Sequence, residues 1–187
     1  DLIPKGPSQK LGRDIGYTLG SFFVLAISGI IINVVITGVR DTDSLGVFNQ
    51  AYAIYIVASQ FAVMGIHYSV LRHAPVEAEN TAERGALLGT ATLLTLLLGI
   101  TAAAIVYNSA TAIGGFFDSE LVGKATAYAA FGLIFFPLNK VFLFYLNGLR
   151  HMRVFSILQA LRYIVVMLSV IYVAFSDYGI DRAALSF

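Results

Sequence analysis

Two basic residues, Lys140 and Arg162, lie well inside long apolar runs of the sequence. A charge within the hydrocarbon of a membrane is costly, so each side chain is expected to face protein or water rather than lipid. The apolar runs hold no acidic residue in their central parts that could neutralise the two cations. Arg can hold a phosphate through two parallel donors and Lys adds a point charge, so the pair predicts a site for a phosphate or pyrophosphate group. The alternative is that both side chains extend to the lipid headgroups.

Six further polar side chains are placed so that they could line the same cavity. Two lie on the run that carries Lys140, at spacings of seven and eight residues that return close to one helical face. Two lie beside Arg162 on the next run, and two lie on earlier runs. For isolated amides, the alternative is a hydrogen bond between helices. The predicted substrate-binding residues are Lys140, Arg162, Asn139, Asn147, Gln159, Tyr163, Gln60 and Asn33.

The composition indicates which elements carry these residues. The chain is 58% hydrophobic and only 12% charged, with a mean hydropathy of +0.79, whereas a soluble domain is about one quarter charged. Apolar runs near or beyond the roughly 20 residues that cross a bilayer recur along the whole chain. We therefore predict an all-α, polytopic integral membrane protein. Its single helical bundle spans residues 1–187, with about five transmembrane helices near 15–39, 45–71, 85–107, 121–146 and 154–175.

Short connections predict which of these helices are neighbours. Residues 40–44 join the first two helices and residues 151–153 join the last two, so each pair is expected to form an antiparallel hairpin. On this arrangement Lys140 lies about 9 Å from the inner end of its helix at Leu146. Arg162 lies about 12 Å from the start of its helix at Val154. The two cations should therefore lie at similar depth on adjacent helices.

Small residues and one proline predict how the helices pack and bend. Gly16 with Gly20, and Gly85 with Gly89, form GxxxG pairs that allow helix backbones to approach closely in lipid. We expect these pairs to serve helix packing within the chain rather than dimerisation. Pro137 removes a backbone donor and is expected to bend the fourth helix, either where it lines a cavity or as a packing kink.

The distribution of basic residues predicts the orientation. With the amino terminus in the cytoplasm, seven Lys and Arg residues lie in inner segments and three in outer ones, which favours this assignment. We therefore expect a multi-pass protein of the cytoplasmic membrane. The inner residues are Lys5, Lys10, Arg13, Arg72, Arg84, Arg150 and Arg153, and the outer ones are Arg40, Lys124 and Arg182.

Patterns typical of enzymes and cofactor sites are missing from the sequence. It has no cysteine, no GxSxG, no Gly-rich phosphate loop and no paired carboxylates inside the apolar runs. Its three histidines, His67, His73 and His151, are scattered, although His67 could titrate or bind phosphate. We expect no enzymatic activity, no metal, no cofactor and no nucleic-acid partner.

Three stretches of the sequence each carry a local pattern of small, polar and basic residues near the ends of the predicted helices. A first helix leads through a short loop to a Gly and a polar, aromatic segment, a second ends in small residues and an Arg, and a Gly with basic residues separates the fourth and fifth. The matching residues are Leu45, Gly46, Phe48, Asn49 and Tyr52, then Gly65, Ile66, Ser69, Leu71 and Arg72, then Gly148, Arg150 and Arg153. Over nearly all of its length the chain resembles polysaccharide-exporter flippases of the multidrug, oligosaccharidyl-lipid and polysaccharide exporter superfamily.

This resemblance implies a fold and a cargo. It implies two pseudo-symmetric helical bundles around a central cavity, of which this chain, expected to be a fragment, supplies most of the first. The implied activity is transport of an isoprenoid-pyrophosphate-linked oligosaccharide by alternating access, with membrane lipids and other polysaccharide assembly proteins as further partners. Cavity cations are expected to hold the anionic headgroup.

Other classes of membrane protein fit parts of the same sequence. The peptidoglycan lipid flippase shares the architecture and carries an anionic lipid-linked sugar. Drug and cation antiporters also share it, but they usually need a membrane-embedded carboxylate, which these runs lack away from their ends. A membrane-embedded glycan polymerase or ligase is expected to have a large outer loop, whereas the outer loops here are short. A scaffold without transport activity would leave Lys140 and Arg162 without a purpose.

Overall fold

The computed structural model describes residues 7–76 and 81–187, and every regular element in those residues is helical. The position Lys5, used above to predict orientation, lies outside the described residues. The helices are α1 (Pro7–Val39), α2 (Thr42–Val63), α3 (Ile66–His73), α4 (Thr81–Phe116), α5 (Glu120–Gly148) and α6 (Met152–Phe175), followed by a 3₁₀ helix (Ile180–Ser186).

Long apolar helices make this an all-α, polytopic membrane protein. In the described residues α1, α4, α5 and α6 are each long and apolar enough to cross a membrane, and α2 with α3 makes a fifth span if the bent pair is taken together. A helix suits lipid because it satisfies its backbone N–H and C=O groups within one segment. The predicted class is confirmed, and the described residues hold four spans, or the predicted five with the bent pair. The predicted third span, 85–107, is too short, since α4 continues to Phe116.

The predicted second span, 45–71, is not one continuous helix. α2 ends at Val63, α3 begins at Ile66, and the two helices are bent by 53°. Met64 (φ 41°) and Gly65 (φ 78°) both adopt the left-handed region, which interrupts the helical hydrogen bonds. Glycine tolerates this conformation and methionine rarely does, so the break is fixed by its surroundings as well as by local sequence.

α4 and α5 form the closest helix pair, because glycines remove side chains where the two backbones meet. A Cβ at Gly99 would lie 2.8 Å from the Leu133 carbonyl oxygen, and a Cβ at Gly123 would lie 3.0 Å from the Ala110 carbonyl oxygen. Pro137 has no N–H to donate to Leu133 four residues earlier, so the Leu133 carbonyl lacks its usual helical partner. α5 nevertheless continues through Pro137 to Gly148.

The GxxxG pairs do not make the contacts that we predicted. Within residues 7–76 and 81–187, a Cβ added at Gly16, Gly20, Gly85 or Gly89 would meet no atom within 4 Å outside its own stretch of helix. Space is therefore open around all four, and the prediction that they serve packing within the chain is wrong. The close backbone contacts fall instead at Gly99, Gly114, Gly123, Gly132 and Gly148.

α1 packs mainly against α6 rather than against α2. The Arg40 guanidinium, just after α1, donates hydrogen bonds to the carbonyl oxygens of Ala174 (2.8 Å) and Tyr178 (3.0 Å), and also to those of Val173 and Ser176. Val173 and Ala174 lie in the last turn of α6 and Ser176 and Tyr178 follow it, so the guanidinium caps the carboxyl end of this helix. The predicted hairpins α1–α2 and α5–α6 exist as short connections, but the helices of each pair contact one another only lightly.

Arg40 lies at one end of the bundle and Arg150 at the other, and we call these the Arg40 end and the Arg150 end. At the Arg40 end, the Asp41 carboxylate caps α2 by accepting a hydrogen bond from the Ser44 N–H at 2.6 Å. This bond, and a second from the Ser44 hydroxyl, lower the pKa of Asp41. At the opposite end, near Arg150, a Cβ at Gly148 would lie 2.8 Å from the Leu71 carbonyl oxygen, so α5 meets α3 closely there.

Candidate functional site

Lys140 on α5 and Arg162 on α6 lie around the ring of Phe136. The Lys140 Nζ and the Arg162 Cζ are each 5.7 Å from the centroid of that ring. Lys140 lies about 12 Å along α5 from its end at Gly148, and Arg162 lies about 15 Å along α6 from its start at Met152. One aromatic ring therefore joins two cations at similar depth in the apolar part of the bundle.

Lys140 reaches across to α2. Its Nζ donates a hydrogen bond to Gln60 Oε1 at 3.1 Å. The amide is neutral, so this bond orients the ammonium without cancelling its charge. Phe136, Lys140 and Phe144 follow at intervals of four residues and so lie on one face of α5. This face of α5 carries the lysine toward α2.

Arg162 is held by its own helix. Its Cζ lies 4.8 Å from the centroid of the Tyr163 ring. The Tyr163 hydroxyl accepts a hydrogen bond from the Gln159 Nε2 at 3.1 Å, and Gln159 is buried. The guanidinium thus lies near two aromatic rings, which attract it while leaving its N–H donors open to an anion.

Within residues 7–76 and 81–187, no carboxylate lies at ion-pair distance from Lys140 or Arg162. The exposed ion pair Lys124–Glu120, at 2.7 Å, lies at the Arg40 end of α5 instead. Buried or membrane-embedded charges are normally paired. Two cations without a carboxylate partner therefore create a region of positive potential where the bundle is otherwise apolar.

A groove runs between α5 and α6 beside this pair. Its volume is about 520 Å³, and the polar side chains that line it are Asn139, Arg162 and Ser186. Its other lining residues are aliphatic or aromatic, including Phe136 and Phe187. We call this the α5–α6 groove; it combines an apolar wall with one guanidinium.

The structure brings together six of the eight predicted substrate-binding residues. Lys140 and Gln60 are bonded to each other, Arg162 and Asn139 line the α5–α6 groove, and Gln159 and Tyr163 support Arg162. The other two lie elsewhere. Asn33 is exposed on α1 and donates to the Gly29 carbonyl of its own helix at 2.7 Å. Asn147 lies near the Arg150 end of α5 and does not line the groove.

The predicted set of site residues left out several aromatic side chains that lie beside Arg162. The Tyr55 hydroxyl donates to the Phe187 carbonyl oxygen at 3.1 Å, and the rings of Phe48, Tyr52 and Tyr55 each lie within 5.4 Å of the Phe187 ring. Tyr55 also contacts Phe136 edge to face at 5.7 Å. Their signal was available, because Phe48, Tyr52 and Tyr55 follow the i, i+4, i+7 spacing of one helical face.

His67, which we noted as a possible phosphate ligand, is buried at the start of α3. Its exposed fraction is 4%, and neither ring nitrogen has a hydrogen-bond partner among the residues that the structure describes. The ring packs on those of Tyr68 and Phe144, at centroid distances of 4.0 and 4.6 Å. His67 therefore packs as an aromatic side chain whose polar atoms are unsatisfied.

Replacing His67 with Leu is expected to raise the thermal stability of the protein. An unsatisfied buried polar group costs about 1–3 kcal/mol, and a leucine removes it while keeping most of the volume. The measurement is thermal unfolding in detergent, followed by intrinsic or dye fluorescence. His73→Leu is the control, because His73 is exposed and its Nδ1 is hydrogen-bonded to the Ser69 carbonyl at 2.8 Å. A lower Tm for His67→Leu than for the parent protein would contradict the conclusion that the buried nitrogens of His67 are unsatisfied.

Comparisons with known proteins add no relative from which a function could be transferred. No protein-family model, no curated protein and no solved structure matches the chain. Functional inference therefore depends on its own residues: a membrane-spanning helical bundle in which Lys140 and Arg162 share one aromatic ring and face no carboxylate in the described part of the chain.

Proposed function

We propose that this chain is the amino-terminal bundle of a flippase that moves isoprenoid-pyrophosphate-linked oligosaccharide across the cytoplasmic membrane by alternating access. The observation that carries the proposal is the position of Lys140 and Arg162, each 5.7 Å from the Phe136 ring and without a carboxylate partner in the described residues. A pyrophosphate supplies the negative charge that this pair lacks. Arg162 offers it parallel N–H donors and Lys140 offers a point charge.

The contact that Lys140 makes is compatible with an anionic ligand. Its ammonium donates a hydrogen bond to the neutral Gln60 amide. A phosphate oxygen carries a negative charge and an amide oxygen does not, so Coulomb attraction draws the ammonium more strongly to a phosphate. On this proposal Lys140 contacts the phosphate and Gln60 contacts a sugar hydroxyl.

The cation antiporter alternative has less support. Carriers that couple to protons or sodium need a group that binds a cation, usually a carboxylate. In the described α-helices, Asp43, Glu83 and Glu120 lie in the first turn, and Asp14 lies two residues inside the candidate span that starts at Gly12. Asp181 lies in the first turn of the 3₁₀ helix. The cations at mid-helix favour an anionic cargo over a cationic one.

Charge distribution and helix geometry support the proposed orientation and mechanism. The Arg150 end carries Arg13, Arg72, Arg84 and Arg153 as well, whereas Arg40, Lys124 and Arg182 lie toward the other end, and we place the more basic end in the cytoplasm. The break between α2 and α3 supports alternating access, because transporters use interrupted helices beside their substrate sites.

The test is transport by the full-length protein in liposomes. A fluorescent oligosaccharide on an isoprenoid pyrophosphate is placed in both leaflets, and a membrane-impermeant quencher reports the fraction that reaches the outer one. Substrate in the inner leaflet is protected from the quencher, and we expect the protein to bring this half of the fluorescence within reach of the quencher. No acceleration over empty liposomes would overturn the proposal. Movement of a peptidoglycan lipid precursor but not of this substrate, or lengthening of the glycan, would favour the peptidoglycan flippase or the polymerase alternative.

A further inference from the structure

The α5–α6 groove is lined by residues of both helices and by the end of the segment that follows them. α5 and α6 are joined at the Arg150 end by residues 149–151. On the side toward the Arg40 end, the lining includes Ser186 and Phe187, and the Phe187 carbonyl accepts a hydrogen bond from the Tyr55 hydroxyl at 3.1 Å.

The side of the groove is apolar and faces the surroundings of the bundle. Its lining includes Phe135, Phe142, Leu161 and Val165, all of which are exposed. Exposed apolar side chains at mid-helix are suited to contact with hydrocarbon. Arg162 lies in the same groove, so hydrocarbon that enters it reaches a guanidinium.

The depth of Arg162 restricts which lipid can use both features. The Arg162 Cα lies about 15 Å along α6 from its start, about half of the thickness of a hydrocarbon core of about 30 Å. The phosphate of a resident phospholipid stays at the membrane surface, well away from this position. A lipid phosphate beside Arg162 therefore belongs to a lipid whose headgroup has been drawn into the bundle.

We propose that the α5–α6 groove binds the isoprenoid chain of the lipid-linked substrate while Arg162 contacts the phosphate attached to that chain. This inference rests on the proposed function and adds the position of the hydrocarbon to it. The chain lies against Phe135, Leu161 and Val165, and the headgroup extends past Phe136 toward Lys140. Affinity then comes from the groove and from the cations together.

Two tryptophan variants separate the groove from the remaining lipid-facing surface. Leu161→Trp fills the groove, since Leu161 lines it and is 52% exposed. Leu168→Trp makes the same change on the same helix at a residue that is 56% exposed but does not line the groove. Both positions are open, so each variant is expected to fold.

The experiment measures binding of farnesyl pyrophosphate to the full-length protein in nanodiscs, with inorganic pyrophosphate and phosphatidylglycerol as separate probes. We expect farnesyl pyrophosphate to bind at least about tenfold more tightly than pyrophosphate, because it buries apolar surface as well. Leu161→Trp should remove this advantage without changing pyrophosphate affinity, and Leu168→Trp should keep it. Arg162→Gln should weaken both ligands.

Three outcomes would overturn the inference. Equal effects of the two tryptophan variants on farnesyl pyrophosphate binding would show that the groove does not hold the chain. If pyrophosphate binding still depended on Arg162, that result would leave the proposed function standing. Competition by phosphatidylglycerol as strong as that of farnesyl pyrophosphate would show a general lipid site. Binding of neither pyrophosphate nor farnesyl pyrophosphate by the parent protein would remove the groove inference and the anion site together.

Discussion

Changing Lys140 and Arg162 together to Gln is expected to reduce glycan export by about a hundredfold or more while the full-length protein reaches the membrane at its normal level. Each hydrogen bond to a charged group contributes about 1.5–3 kcal/mol, so two lost cations remove several kcal/mol of headgroup binding. Arg162→Gln alone should be the more severe single change, because the guanidinium offers two parallel donors. Export is measured in cells that carry the altered gene, with the amount of membrane protein followed in parallel.

Lys124→Gln is the matched control for the charge variants. Lys124 lies on the same helix, its side chain is 53% exposed, and its ion pair with Glu120 is of the exposed kind that contributes little. Export should therefore stay at the parent level. Normal export in both single variants and in the double variant would return Lys140 and Arg162 to a structural role, with side chains that extend to headgroups or pack on Phe136.

The spans could be predicted from the sequence because the membrane sets their length. An apolar run of about 20 residues has few structures open to it in lipid other than a helix. The break at Met64 and Gly65 could not be predicted in the same way, because the residues around it remain apolar. α3 is turned onto α5 where Gly148 meets the Leu71 carbonyl, and that contact exists only in the folded bundle.

Helix neighbours were predicted poorly from chain order. In lipid all faces of a helix are apolar, so hydropathy does not identify the face that packs. A row of small residues does identify the packing face. α4 has Ala91, Thr95, Gly99 and Ala103 at intervals of four residues, and all four are buried. That spacing was in the sequence, whereas the isolated GxxxG pairs lacked a facing partner. The α1–α6 contact depends on Arg40 and carbonyls more than 130 residues away, which no local pattern reveals.

The candidate site was partly accessible to sequence reasoning. The depths of Lys140 and Arg162 follow from counting residues along two helices, because the rise per residue is fixed. Their partners do not follow from counting. Gln60 meets Lys140 only because α2 packs on α5, and Phe136 was overlooked because an aromatic residue in an apolar run carries no signal of its own.

Gly99→Val is expected to destabilise the bundle more than any other single change at a glycine of α4. A Cβ at this position would lie 2.8 Å from the Leu133 carbonyl oxygen and 3.3 Å from that of Ile134. Backbone atoms cannot rotate away as a side chain can, so α4 must move off α5 along much of their contact. We expect the free energy of unfolding to fall by about 3 kcal/mol, the upper part of the usual range for overpacked sites.

Gly89→Val separates this steric effect from the helix propensity of valine. Both glycines lie within α4, both changes add the same side chain, and a Cβ at Gly89 would meet no atom within 4 Å. Thermal unfolding in detergent should therefore show a clear loss for Gly99→Val and little change for Gly89→Val. Equal Tm values would mean that α4 and α5 can separate at low cost. In that case, the stability of the bundle would not depend on the close approach of Gly99 to the Leu133 carbonyl, which Pro137 leaves without a helical donor.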